Sequence, residues 1–268
     1  WNSAGYKDAN EEKQFRGLAE NILKEFYASF SQEKPDVKYT TVMVKFKTKR
    51  AIISSRVDRI DQLPDGTYEV INYKTGKSAL DPVEMVEDLQ AITLYQGANS
   101  HKRFEGKVSR VSFYYLRPNR KVSISPSADD VKEVTGRINQ IVRSIEKLAK
   151  GKGLTSSLLG KILPGDMGGE DEDAALAEKG ALCGNCEYLE KCPAWPITPR
   201  QIADEPPEVF ADRIRLSYSK LSSYKRCPRA WKKSYLDGMF SMEPRPFFSF
   251  GTALHEAMEN FYSPHEAK

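Results

Sequence analysis

The sequence predicts an α/β fold, a mixed central sheet that contains an antiparallel meander and is flanked by helices. Three observations point there. Residues 37–73 hold three strand-like runs broken by turn residues, with β-branched and aromatic side chains at strand density. Two long helical periods, at 11–30 and 128–149, stand on either side of them. A further apolar run at 108–116 offers another strand after a helical stretch at 80–100.

Each element has its own warrant. After a polar opening at 1–10, Phe15, Leu18, Ala19, Ile22, Leu23, Phe26, Tyr27 and Phe30 recur at helical spacing, and Pro35 ends the run. Residues 37–46 alternate as a strand. Lys45, Lys47, Lys49 and Arg50 read either as its solvated edge or as a strip that tracks a phosphate backbone. Residues 51–63 and 67–73 complete the meander around Pro64-Asp65-Gly66, where proline presets φ and glycine accepts φ > 0. Met85, Val86, Leu89, Ile92, Leu94 and Tyr95 supply the buried face of a helix over 80–100. The strand at 108–116 leads through a Pro118-Asn119 turn to a short strand at 122–124. Within 128–149, Val131, Val134, Ile138, Ile141, Val142, Ile145 and Leu148 keep one helical register. Residues 151–180, rich in glycine and acids, read as an exposed loop, and the proline-punctuated stretch from 193 to 207 as a linker.

Bulk composition narrows the class. The 268 residues suffice for one large domain or two small ones, and 40% hydrophobic with 29% charged residues is ordinary for a globular chain. A net charge of +4 is compatible with a nucleic-acid partner but does not argue for one, because that argument needs clustered charge. No apolar run approaches the length of a membrane span and no signal-peptide pattern opens the chain, so the expectation is a cytoplasmic protein without membrane association.

Two constellations carry chemistry. In strand geometry Asn72 and Lys74 share a face, and Asp58 stands on the partner strand about as far from the turn as Asn72. Converging oxygens suit a hard divalent cation, and a neighbouring lysine can orient or deprotonate a water. The alternative is a hairpin with a charged, solvated face. The second constellation is Cys183, Cys186 and Cys192, with Cys227 apart. In a cytosolic chain Cys-x-x-Cys spacing favours metal ligation over disulfides, and three thiolates leave a tetrahedral metal or cluster one ligand short.

The stretch Asp58-Arg59-Ile60-Asp61, followed by Glu69-Val70-Ile71-Asn72-Tyr73-Lys74-Thr75-Gly76-Lys77, resembles the RecB-like branch of the PD-(D/E)xK nucleases. That family writes G-x-x-D-R-I-D, a turn, then V-I-D-Y-K-T-G. The resemblance implies a restriction-endonuclease-like fold and hydrolysis of DNA phosphodiesters with Mg²⁺ or Mn²⁺. Asp58 and the position of Asn72 then ligate the metal, and Lys74 positions water. Gln90 and Tyr95 resemble the glutamine and tyrosine of the family's next helix, one residue further apart than the usual Q-x-x-x-Y. Near the end, Ser217-Tyr218-Ser219 through Cys227-Pro228 is similar to the family's opening S-x-S-x-L-x-x-Y-x-x-C-P, with Ser217 or Ser219 as helix cap. Gly251 to Glu259 is similar to its G-x-x-x-H-x-x-x-E helix, making His255 a metal ligand with Glu259 in support. Cys227 then supplies the fourth thiolate. In the iron–sulfur branch, which includes the AddB C-terminal and CRISPR-adaptation nucleases, four such cysteines hold a [4Fe–4S] cluster. An all-thiolate Zn²⁺ site is the rival.

This chain departs from the pattern in three ways. Ser55 replaces the motif glycine, which a strand absorbs. Asn72 replaces the second metal-binding aspartate, keeping an oxygen but losing the charge, so metal affinity and cleavage should fall while fold and nucleic-acid channel survive. The order is reversed, since the Cys-Pro and histidine blocks follow the hairpin instead of preceding it. Either the chain is circularly permuted or its numbering joins segments in a non-native order. On this reading residues 1–200 form the nuclease core and 201–268 a helical segment completing the same domain. The substrate is DNA, single-stranded or with free ends, and helicase, repair or CRISPR proteins are the partners. The rivals are a non-cleaving DNA-binding module on the same fold and a zinc-stapled protein-interaction domain.

Overall fold

A computed structural model describes residues 1–3, 5–149, 214–236 and 246–262. The chain divides into two units, the first made of Trp1–Phe46, Ser54–Val134 and Glu243–Lys268, the second of Lys47–Ile53 and Thr135–Met242. Among the described residues no helix is long and apolar enough to cross a membrane.

The first unit opens with helix α1 (Ala9–Glu33), whose N-cap Asp8 accepts a hydrogen bond from the Glu11 amide and which ends where Lys34 turns left-handed at φ 44°. Strands β1 (Val37–Lys47), β2 (Ala51–Gln62) and β3 (Tyr68–Lys74) follow. The β2–β3 hairpin closes through Leu63–Gly66 and Leu63–Thr67 backbone bonds of 2.9 and 2.8 Å. Gly66 takes φ +83°, and Asp65 accepts from both the amide and the hydroxyl of Thr67. Its antiparallel register pairs Arg59 with Ile71 and Asp61 with Glu69.

The helix expected over 80–100 is two helices, α2 (Pro82–Val86) and α3 (Leu89–Asn99). Asp81 and Glu84 form a capping box with Pro82 in the first turn of α2. Asp88 interrupts the apolar period because its carboxylate accepts from the amides of Gln90 and Ala91, starting a new helix. Strand β4 (Val108–Tyr115) then runs parallel to β3, with Asn72 beside Phe113 and Lys74 beside Tyr115. Strand β5 (Arg120–Ile124) pairs antiparallel to β4 and begins two residues before its apolar stretch. The strands lie in the order β1-β2-β3-β4-β5, a mixed sheet.

Helices cover both faces of the sheet, which is why β3 is buried from Glu69 to Tyr73. One core gathers Val44, Val57, Ile60, Val70, Met85, Leu94, Phe104, Val111 and Phe113, putting α2 and α3 on that side. The other gathers Ile22, Phe26, Ile71, Tyr73, Leu116, Phe250, Leu254 and Met258, which brings α1 against the chain's last helix (Pro246–Tyr262). Alternation along β3 explains the split, since Val70 faces the first core and Ile71 and Tyr73 the second.

Helix α3 comes so close to β1 that a Cβ on Gly97 would stand 2.9 Å from Val44 Cγ2. Gly97→Ala should therefore destabilise the protein by about 1–3 kcal/mol through overpacking, read as a lower denaturation midpoint. An unchanged midpoint would mean that β1 yields.

In the second unit, the part of helix α4 (Ala128–Ala149) after Val134 buries Ile138, Ile141, Val142, Ile145 and Leu148, as its period predicts. Arg50 is paired with Glu146 at 2.8 Å. Strand β6 (Ile214–Ser217) leads into α5 (Tyr218–Arg226), capped by Ser217 through the Lys220 amide. Cys227 is the N-cap of α6 (Pro228–Tyr235), its Sγ accepting from the Ala230 amide at 3.5 Å. Leu221, Tyr224 and Trp231 are buried there, with the Tyr224 and Trp231 rings 5.5 Å apart. The last helix, which belongs to the first unit, is α7.

Candidate active site at the hairpin

Strand β2 delivers Asp58 and strand β3 delivers Asn72 and Lys74 to one end of the first unit. Asp58 is fixed by its neighbour strand, since its Oδ2 accepts from the Tyr73 amide at 2.9 Å. Helix α7 brings His255 to the same oxygen, with Nδ1 3.6 Å from Asp58 Oδ2. Burial pushes the Asp58 carboxyl up, against the opposing pull of His255, the Tyr73 amide, Arg56 and Lys74. Burial also holds His255 below its ordinary 6.5, more strongly than Asp58 raises it. At neutral pH the imidazole is therefore neutral and able to serve as a ligand.

Asn72 is buried, and its amide orientation is set by Nδ2 donating to the Arg56 carbonyl at 3.0 Å. Its Oδ1 is buried without a hydrogen-bond partner. A buried acceptor left this way is costly, so the position suits a donor or a cation.

Lys74 donates to Gln90 Oε1, and its Nζ lies 4.0 Å from the centroid of the Phe113 ring. Loss of surrounding water lowers its pKa, while Asp88 and Asp58 raise it. A lysine with this environment is nearer to giving up its proton than one in water. Gln90 thus stands at the lysine, whereas Tyr95, five residues on, is packed against the α2–α3 core. Glu259 lies one turn after His255 on an exposed part of α7. Cys183, Cys186 and Cys192 lie outside the described residues.

Sequence reasoning missed a second set of residues beside this one. Arg59 is buried, bonds Asp61 at 2.7 Å, and donates through Nη1 to the Tyr262 and Tyr73 hydroxyls at 2.6 and 3.1 Å. The signal was partial: Arg59 and Asp61 alternate onto one strand face, and the apolar Val57 and Ile60 that flank them in sequence pack into the α2–α3 core. Asp88, which raises the Lys74 pKa, carried a cap signature two residues before Gln90.

The donors fit a divalent cation in type. Asp58 and His255 are adjacent, and an octahedral site with bonds of about 2.1 Å would set its neighbouring ligands about 3 Å apart, slightly closer than this pair. Asn72 adds an unsatisfied oxygen. The set brings a single negative charge, however, and among the described residues no group of three His, Cys, Asp or Glu side chains gathers as a metal site. A hard cation would be held weakly.

The comparison with known families agrees with this arrangement of sheet, hairpin and flanking helices. No curated protein matches the chain. The profile of the PD-(D/E)XK nuclease superfamily matches residues 1–193 and 215–268, covering the hairpin, Gln90 and α7. With nearly the whole chain matched, and a mixed sheet flanked by helices of the restriction-endonuclease kind beneath it, the protein belongs to the PD-(D/E)XK nuclease superfamily.

Proposed function

We propose that this chain is a metal-dependent deoxyribonuclease of the RecB-like branch, with cleavage weakened by Asn72. The observation that carries the reading is His255 arriving from the far end of the sequence against Asp58, beside a half-buried lysine that donates to Gln90. Asp58, His255 and Asn72 Oδ1 would hold Mn²⁺ or Mg²⁺, with Glu259 in support. The imidazole favours manganese. When bound, the cation stabilises the charge that develops on the phosphate.

The chain's own residues do the rest. Gln90 Oε1 holds the Lys74 ammonium, and Lys74 Nζ orients the attacking water and exchanges a proton with it. Tyr95, packed against the α2–α3 core but still partly exposed, would flank the path of the strand. The substrate is DNA, single-stranded or with free ends. Cys227 with Cys183, Cys186 and Cys192 would ligate a [4Fe–4S] cluster, with Zn²⁺ as the competing occupant. Residues 201–268 would complete the domain begun by 1–200, in an order permuted relative to the family, or one that numbering has rearranged. Helicase, repair or CRISPR proteins are the partners this branch implies.

A second reading is favoured by Asn72 itself: a non-cleaving DNA-binding module on the same fold. Asn72→Asp tests both. The new carboxylate would place an oxygen against the Arg56 carbonyl where Nδ2 now donates. The metal-free variant should therefore lose about 1–3 kcal/mol of stability, and Mn²⁺ should raise its midpoint more than it raises that of the parent. On labelled single-stranded DNA with Mn²⁺, cleavage should rise at least about tenfold. A variant that neither binds Mn²⁺ nor cuts would remove the nuclease reading.

A further inference from the structure

We infer that Tyr262 is a positioning residue that sets the distance between His255 and the hairpin, working through Arg59. This rests on the proposed metal-site reading and extends it to residues outside the ligand set. His255 and Tyr262 are seven residues apart on α7, so they lie on nearly the same helical face about 10.5 Å apart along the axis. They meet two consecutive residues of β2: His255 stands 3.6 Å from Asp58, and the Tyr262 hydroxyl accepts from Arg59 Nη1 at 2.6 Å.

Consecutive Cα atoms are about 3.8 Å apart, so two such distant helix positions are bridged by long side chains, the tyrosine on the helix and one on β2. Arginine supplies that length. The guanidinium is itself held, by Asp61 at 2.7 Å and by the Tyr73 hydroxyl at 3.1 Å, and Tyr73 donates to the Tyr262 hydroxyl at 3.1 Å. Tyr73 in turn gives its amide to Asp58. The anchor and the ligand pair thus share one rigid piece of sheet. Between the two points Met258 and Phe261 hold α7 by apolar contacts, which tolerate small slides along the axis. The hydroxyl removes that freedom and fixes where the imidazole stops.

The experiment compares Mn²⁺ affinity, read from the free-ion electron paramagnetic resonance signal, in Asn72→Asp, Asn72→Asp/Tyr262→Phe and Asn72→Asp/Phe261→Ala. Phe261 packs on Phe30 and Tyr27 from the neighbouring helix position and controls for a general weakening of α7. The expected result is Mn²⁺ binding about tenfold weaker with Tyr262→Phe and nearly unchanged with Phe261→Ala, although both lower the thermal midpoint. Equal affinity in the Tyr262→Phe and parental proteins would overturn the inference while leaving the metal site standing. Equal losses in both double variants would also overturn it, assigning the effect to helix stability. No Mn²⁺ binding to Asn72→Asp itself would bring down the site and the inference together.

Discussion

Arg59→Leu is expected to destabilise the first unit by about 3–5 kcal/mol, because it leaves a buried carboxylate without its counter-charge. Asp61 is almost wholly buried, one of its oxygens bonds Arg59, and the other has no hydrogen-bond partner. Burial already pushes the Asp61 carboxyl up, with Arg59 as the largest opposing influence. Without the arginine it rises further. A carboxyl whose folded pKa exceeds its unfolded value disfavours folding above that pKa, and the penalty disappears as the pH falls through it. The deficit of Arg59→Leu, measured by urea denaturation, should therefore shrink on acidification. Replacing both partners with Arg59→Met and Asp61→Leu should recover most of the loss, since well-packed apolar residues can substitute for a buried ion pair. A single variant as stable as the parent at neutral pH would show that water reaches Asp61.

Lys74→Met should separate activity from stability. In the Asn72→Asp background it should lower cleavage by about 10²–10⁴-fold, the range of a lost general acid–base group, yet leave the denaturation midpoint level or higher. The ammonium is held where burial lowers its pKa below the ordinary 10.5. Its charge is thus a burden on the folded state, and methionine fills a similar volume against Phe113 without it. The pH dependence follows. Between the folded value and 10.5 the unfolded chain binds more protons at this residue, so stability rises with pH through that window, and Lys74→Met should flatten the slope. Cleavage that survives the substitution would assign the water to another group.

How much of this was legible varied with the physics involved. Helix α4 and the hairpin turn were readable because each is specified locally, by a clean apolar period and by Pro64-Asp65-Gly66. The break between α2 and α3 was hidden beneath an apolar period that runs through it, and depends on one carboxylate turning back onto two amides. The start of β5 at Arg120 was missed because polar residues there are held by backbone pairing to β4, which no side-chain pattern announces. At the site, the hairpin's oxygens and lysine could be placed by period-two geometry. The 3.6 Å approach of His255 could not, since it depends on the docking of α7. The role of Arg59 stayed hidden because charges in a strand read as solvated until both faces are known to be covered.

That docking also has a consequence in time. Arg59 and Tyr262 are 203 residues apart, so a chain translated in this order makes the hairpin long before the helix that completes it. At about 5–20 residues per second, translation keeps them separate for roughly 10–40 s. Throughout that interval the ribosome-bound chain has its lysine and carboxylate in place but no histidine beside them. On the proposed nuclease reading, the site would thus stay incomplete, and harmless to the messenger and ribosome that produce it, until α7 has emerged.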